Sequence, residues 1–279
     1  MKMLLTIIPA MLIFSTCSIR EPAETGDGEA VSFIVFSDVQ QGYGIYSVLA
    51  KNIGRIDPAP VTAFCCGDIM LRACNEAEWV NFYRYSDPIT DRMPLYIARG
   101  NHEENDPVSE SVFAEETGTR GKTFYQTIRQ DSLLFIILDT DVRGEENGIL
   151  GIQLKWLGAM LESVASDNKV RYIFLFMHKP LFPQGPHKAT PLTNADDLHV
   201  LFLQYPKIRA VFSGHDHLFN RYEKDGLMYI TTGGGGGDLY HGYGGDYHHF
   251  VKVSLYRGSA RINLKTIGIF NEVVDDFDL

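Results

Sequence analysis

Five short segments carry side chains able to hold metal ions or move protons. They are Asp38-Val39-Gln40, Gly67-Asp68, Gly100-Asn101-His102-Glu103, His178 and Gly214-His215-Asp216-His217. Carboxylates, neutral amides and histidines together form a mixed oxygen and nitrogen donor set, which suits Mn, Fe, Zn or Ni better than Ca or Cu(I). Asp68 has two oxygens to share and is read as a group able to bridge two ions. Two ions about 3.5–4 Å apart can share a hydroxide and clamp a phosphoryl group for in-line attack. The departing oxygen then needs a proton, and His102, beside the ligand candidate Asn101, is placed to supply it. Any one segment alone is weak, because Gly-Asp is an ordinary turn and a histidine after a strand is usually a satisfied core residue.

The elements that must position these groups are legible in the apolar pattern. Runs with the length and β-branched or aromatic content of buried strands are Val31–Phe36, Val61–Cys66, Leu95–Ala98, Leu133–Leu138, Val170–Met177 and Ala210–Phe212. Leu227–Ile230, Phe250–Leu255 and Ala260–Leu264 read as later strands. Helical patterns lie between the early runs: Tyr43–Ile53, Glu76–Tyr85, a helix opened by Asp106-Pro107 and closed near Gly118, Ile152–Ala165 and Asn194–Gln204. Leu154, Leu157, Leu161 and Val164 mark a core-facing stripe, and Trp79 and Trp156 read as helix-face core residues. Alternating strands and helices, then strands alone, predict an α/β domain with a strand-rich C-terminal part. All five polar segments follow directly on predicted strands, where ligands gather in open α/β sheets.

The chain has 279 residues, 45% apolar and 22% charged, with 25 basic and 35 acidic residues giving a net charge of −10. That excludes a disulfide miniprotein and a disordered tail. The acidity argues against binding a nucleic-acid duplex by its phosphates, but not against a small phosphate ester, because bound cations supply local positive charge. Lys2, an apolar run from Met3 to Phe14 and then Ser15-Thr16-Cys17 have the layout of a secretory signal. Cys17 resembles the lipidated cysteine of a bacterial lipoprotein, although Phe14 and Thr16 are unusual there; an ordinary cleaved signal is the alternative. The expected organisation is a signal over residues 1–16, a polar tether over 17–29 and one domain over 30–279. The expected location is the cell envelope, by a lipid anchor at Cys17. The oligomeric state is open.

Cys65, Cys66 and Cys74 remain, an odd number, and they read as buried small hydrophobes. Cys65 and Cys66 would point to opposite faces of a strand. The run Gly233–Gly237, followed by Asp238, Tyr240, His241, Tyr243, Asp246, Tyr247, His248 and His249, reads either as a flexible rim that contacts substrate through His241 or Tyr243, or as a long hairpin connection. His187, in the Pro183–Thr190 loop after His178, is expected on the surface, with a place lining the cleft as the alternative. Glu103 is expected to orient a ligand or His102.

The motif set resembles the calcineurin-like metallophosphoesterase superfamily, whose segments run D-x-H, G-D, G-N-H-[DE], H and G-H-x-H. The likeness extends from about Val31 to Leu255. Gln153-Leu154-Lys155-Trp156-Leu157, His178-Lys179-Pro180-Leu181-Phe182 and Tyr229-Ile230-Thr231-Thr232 before five glycines resemble its purple-acid-phosphatase-like branch. The resemblance implies a four-layer α/β/β/α sandwich of two mixed sheets flanked by helices. It implies one metal on Asp38, Gln40, Asp68 and His217, and a second on Asp68, Asn101, His178 and His215, the ions being Mn, Fe or Zn. His102 would be the general acid, and Asn101, His102 and His241 the substrate contacts. Two positions depart from the pattern. Gln40 stands where the family has His, and Leu71 stands where the purple enzymes have a tyrosine ligand, so no iron-to-tyrosine colour is expected. The implied activity is hydrolysis of a phosphomonoester or phosphodiester. The alternatives are a diesterase for nucleotide, lipid or wall phosphates, and a binding lipoprotein with a degenerate first metal site.

Overall fold

The computed structural model describes residues 28–104, 106–119 and 123–279. The signal, most of the tether and Cys17 lie outside the described residues. Two six-stranded sheets form the centre of the molecule. The first takes β1 (Glu29–Phe36), β2 (Ala63–Cys65), β3 (Leu95–Ile97), β10 (His249–Tyr256), β11 (Ile262–Gly268) and β12 (Val273–Asp278), in the order β12-β11-β10-β1-β2-β3. The second takes β4 (Gln126–Gln130), β5 (Leu133–Ile137), β6 (Tyr172–Phe176), β7 (Ile208–Ser213), β8 (Phe219–Lys224) and β9 (Leu227–Thr232), in the order β4-β5-β6-β7-β9-β8. Both are mixed: β1-β2-β3 and β5-β6-β7-β9 are parallel, and antiparallel strands flank them.

Alternation along the strands builds three cores. Phe33 and Val35 of β1 face Phe135, Phe174, Phe176 and Phe212 of the other sheet, and the Phe33 ring lies 4.9–6.3 Å from five phenylalanine rings. Each such side chain contributes about 1.5–3 kcal/mol on burial. Ile34 and Phe36 point the other way, onto α1 (Tyr43–Gly54) and α2 (Glu76–Thr90). The outer face of the second sheet packs on α4 (Gly151–Ala165) and α5 (Ala195–Leu203) through Leu157, Leu161, Leu198 and Phe202. The layers are therefore helix, sheet, sheet, helix.

The helices follow from their stripes and caps. Tyr46, Leu49, Ala50 and Ile53 bury one face of α1. Asn75 caps α2 by accepting the Ala77 N–H, and α2 runs on through Pro88, five residues past its expected end at Tyr85. Asp106 caps α3 (Pro107–Glu116) by accepting the N–H groups of Val108 and Ser109. Trp79 is buried, whereas Trp156 is half-buried against Tyr125. Cys65 and Cys66 do fall on opposite faces, in two different cores, but Cys74 is exposed, outside any strand, contrary to expectation. All three thiols are free, and burial pushes those of Cys65 and Cys66 well up. Among the described residues no helix is long and apolar enough to cross a membrane.

Candidate metal centre

Both sheets deliver side chains to one edge. Asp38 follows β1, Asp68 follows β2, Asn101 and His102 open the short 3-10 turn Asn101–Glu103 after β3, His178 follows β6, and His215 and His217 follow β7. The loops are tied by their backbones: Asp38 N–H donates to Gly67 C=O and Gln40 N–H to Asp68 C=O, each at 3.0 Å. Gly100 has no alternative, since a Cβ there would lie 2.2 Å from Asp68 Oδ1. Asp38, Gln40, Asp68 and His215 all have positive φ, at 60°, 44°, 52° and 70°. Left-handed non-glycine residues cost about 1–3 kcal/mol each and gather where function holds them.

The hydrogen bonds fix which ring nitrogens face inward. His178 donates its Nδ1–H to Cys66 C=O at 2.9 Å, so its Nε2 presents a lone pair. That lone pair faces Asn101 Oδ1 at 3.0 Å, His215 Nδ1 at 3.2 Å and Asp68 Oδ2 at 3.3 Å. His217 donates Nδ1–H to Asp238 C=O at 2.7 Å, and its Nε2 faces Asp38 Oδ1 at 3.4 Å and the Gln40 amide at 3.3 Å. Apart from the Gln40 Nε2, which donates to His217, these are acceptors that converge on one another, and a cation resolves the repulsion. Donor atoms of Asp68, His178 and His215 lie within 4.8 Å of one another, as do those of Asp38, Asp68 and His217. Asp68 belongs to both groups. Burial opposes charge on His178 and His217, but Asp68 and Asp38 outweigh it and hold them up at about 10 and about 9. Burial and the charges on His178 and His187 push His215 down to about 2. Despite its burial, Asp68 is held well below the usual carboxylate range by His178 and His102. The donor chemistry fits two transition-metal ions.

The sequence-derived candidates distribute as follows. Asp38, Asp68, Asn101, His178, His215 and His217 come together, and Gln40 joins them with its amide against His217. His102 is 39% exposed, with Nε2 3.9 Å from Asp68 Oδ2 and its N–H bonded to Asp68 Oδ1 at 2.9 Å. His241 is not brought in: its side chain is 77% exposed and pairs with Asp246 at 2.9 Å. Tyr243 is also exposed. The residue of that segment that reaches the cluster is Tyr240, whose ring stacks on His217 at 4.6 Å and 2°. Nor is the glycine run a flexible rim. Gly233–Gly237 are buried, and Gly235 and Gly237 donate N–H bonds to Ser37 and Asp38 C=O. A Cβ on Gly235 would sit 2.2 Å from Ser37 O.

Sequence reasoning expected Glu103 to orient a ligand, and it missed several other supports. Glu103 holds backbone instead of a side chain: it accepts the N–H groups of Asp68, Ile69 and Gly100 at 2.9, 2.8 and 2.7 Å. His187, expected on the surface, stacks on His215 at 4.1 Å and is held by buried Asp216 at 2.6 Å. Gln153 brackets the Asp139 backbone, accepting its N–H and donating to its C=O. Buried Arg99 reaches Asp139 at 2.8 Å, Glu110 and the Asp141 carbonyl, and so clamps the loop carrying Asn101 to the end of β5. The signal was available: the Leu133–Leu138 run also ends in polar residues, Asp139-Thr140-Asp141.

A two-sheet sandwich presenting a shared carboxylate among imidazoles at its strand ends defines a metallo-dependent phosphatase fold. The chain belongs to the calcineurin-like phosphoesterase family, whose family model matches residues 31–219. It is 27% identical over 209 residues to purple acid phosphatase 23 of Arabidopsis thaliana, covering 67% of this chain and 44% of that one. Among solved structures it is similar to the purple acid phosphatase PPD1 of yellow lupin, with TM-score 0.74, 18% identity, and 90% of this chain and 54% of that one covered. It is also similar to a dimetal phosphatase from Danio rerio, with TM-score 0.63, 17% identity, and 90% and 99% covered. The two structural likenesses establish the fold. The chain spans about half the length of the purple acid phosphatases it matches.

Proposed function

We propose that this chain is a metal-dependent phosphoesterase that hydrolyses a phosphomonoester or phosphodiester at the joined edge of its two sheets. The observation that carries the reading is Asp68, whose carboxylate belongs to both donor groups. Asp38, Gln40, Asp68 and His217 would hold one ion, and Asp68, Asn101, His178 and His215 the other. Gln40 ligates through its amide oxygen, which a half-turn of the amide brings to the position facing His217. When bound, such ions supply Lewis acidity and a nucleophile at neutral pH.

The protein's own groups do the rest. His102 stands beside Asp68 with its ring partly open to solvent, the position from which it would pass a proton to the departing oxygen. The Asn101 amide and the His102 ring flank the place where a phosphoryl group docks. Glu103 keeps the Asp68 loop in place through two backbone bonds, to Asp68 and Ile69, while a third ties it to Gly100 in its own loop. Asp216 keeps His187 against His215. Bound cations would supply the positive charge by which an acidic chain takes an anionic substrate. The signal-like N-terminal segment and Cys17 support export and a lipid anchor; Cys17→Ala should release the protein from the membrane fraction.

The test is metal analysis coupled to a panel of p-nitrophenyl phosphate, bis-p-nitrophenyl phosphate, cyclic nucleotides and nucleotide sugars, with Mn, Fe or Zn supplied. Two ions per chain and turnover of a member of the panel are expected. The second reading, a binding protein of the same fold, is favoured by Gln40 alone. It predicts fewer than two ions and no turnover with any of the metals.

A further inference from the structure

The metal-facing histidines are backed by aromatic rings from two loops. His187 lies on His215, and Tyr240 lies flat on His217, the two outer rings standing 5.9 Å apart at 61°. Tyr240 is not free to wander. Its N–H donates to His217 C=O at 2.9 Å, and the segment entering it is pinned by Gly235 and Gly237 on the backbone of Ser37 and Asp38. His217 in turn donates to the carbonyl of Asp238, two residues before Tyr240. The same stretch that orients a metal-facing histidine therefore fixes a half-buried phenol ring beside it. Just beyond, Tyr243 and His241 are exposed, so the segment turns outward directly after Tyr240.

The charge around this wall is equally informative. Lys179 follows His178, but its ammonium is taken by Asp141, and Arg99 is buried behind the Asn101 loop among Asp139, Glu110 and Asp141. Neither cation is available to grip a second anionic group on the substrate. On the Tyr240 side, the side chains beside His217 and His215 are rings, Tyr240 half-buried and His187 33% exposed. Aromatic faces recognise flat rings, by offset or edge contacts at centroid separations of about 4.5–7 Å.

Building on the phosphoesterase reading, we propose that Tyr240 is a specificity-determining residue that selects phosphate esters whose leaving group is a flat aromatic ring, an aryl or nucleobase-bearing group, over small aliphatic ones. The phosphoryl group is held by the metal-facing residues, and the ring of the leaving group lies against the Tyr240 and His187 wall.

The test is equilibrium binding of two inert substrate mimics, phenylphosphonate and methylphosphonate, to the Mn-loaded full chain by calorimetry, in wild type, Tyr240→Ala and Tyr240→Phe. Wild type should bind the phenyl compound more tightly. Tyr240→Ala should shrink the phenyl-to-methyl preference by about three- to ten-fold, which is about 0.6–1.4 kcal/mol at 1.4 kcal/mol per tenfold. Tyr240→Phe, which keeps the ring, should retain the preference. Equal weakening of both ligands in Tyr240→Ala, or an unchanged ratio, overturns the inference while phosphonate binding still upholds the phosphoester site. Failure of wild type to bind either phosphonate overturns the phosphoesterase reading and the inference with it.

Discussion

Replacing Asp68 by asparagine tests the centre most directly, because one side chain serves both donor groups. In the metal-free protein its Oδ2 lies 3.3 Å from His178 Nε2, and both side chains are almost wholly buried. At an effective dielectric constant near 20, unit charges at that distance attract by about 5 kcal/mol. The rise of His178 to about 10 from an ordinary 6.5 corresponds to a similar net preference for the charged ring. Asp68→Asn should therefore drop the His178 pKa by about three pH units, read from the ring signals by NMR after chelation. The raised histidine contributes stability that is complete below pH 6.5 and fades as pH rises through about 10. The depressed carboxylate contributes stability present above 3.8 and lost as pH falls through its lower folded value. The two windows overlap between about pH 4 and 6.5, where the variant should lose about 3–5 kcal/mol, the usual loss on breaking a buried pair from one side. Thermal melts of chelated wild type and variant from pH 4 to 10 measure it. Metal analysis of the loaded proteins should fall from two ions per chain to one or fewer. Two ions held at wild-type affinity, or a melting difference that is flat with pH, would refute the bridging assignment.

His102→Ala should slow turnover by about 10²–10⁴-fold, as for loss of a general acid, while metal content stays at the wild-type level. Asp216→Asn loses the charge-assisted bond to His187, worth about 1.5–3 kcal/mol, and should lower the melting temperature by about 3–10 °C. In a His187→Ala background its effect on kcat/KM should largely vanish, and full additivity would show that Asp216 does not act through His187. Gly235→Ala drives a methyl group into the Ser37 carbonyl at 2.2 Å. It should destabilise the fold by about 1–3 kcal/mol or more and weaken metal retention at the Asp38 group first, read by stepwise chelation.

The interior strands were legible because burial on both faces writes a continuous apolar run. β4, β8 and β12 were not, and each ends a sheet. Gln126–Gln130 is polar throughout apart from Ile128, Phe219–Lys224 is polar or charged apart from Phe219 and Tyr222, and Val273–Asp278 is rich in aspartate. An edge strand with one face or none in the core has no reason to be apolar, and polar residues there discourage pairing with other chains. The α2 boundary failed differently: the helical pattern is read only to Tyr85, yet the helix continues through Pro88 to Thr90, with Ser86 and Ile89 buried.

What the sequence by itself determined was which groups gather at the shared sheet edge, because Asp38, Asp68, Asn101, His178, His215 and His217 each follow a buried run, and their types make a mixed oxygen and nitrogen donor set. What only the tertiary structure decided was which neighbours hold them. His187 and His241 look alike in the chain, each a histidine in a loop. One is drawn under Asp216 and onto His215, whereas the other pairs with Asp246 in solvent. Glu103 could have served any nearby group, and its bonds to the Asp68 and Ile69 N–H groups exist only because β2 and β3 lie side by side. The difference is physical: donor type is a property of one side chain, while orientation, burial and shifted acidity depend on segments as far apart as Asp38 and His217 meeting in space.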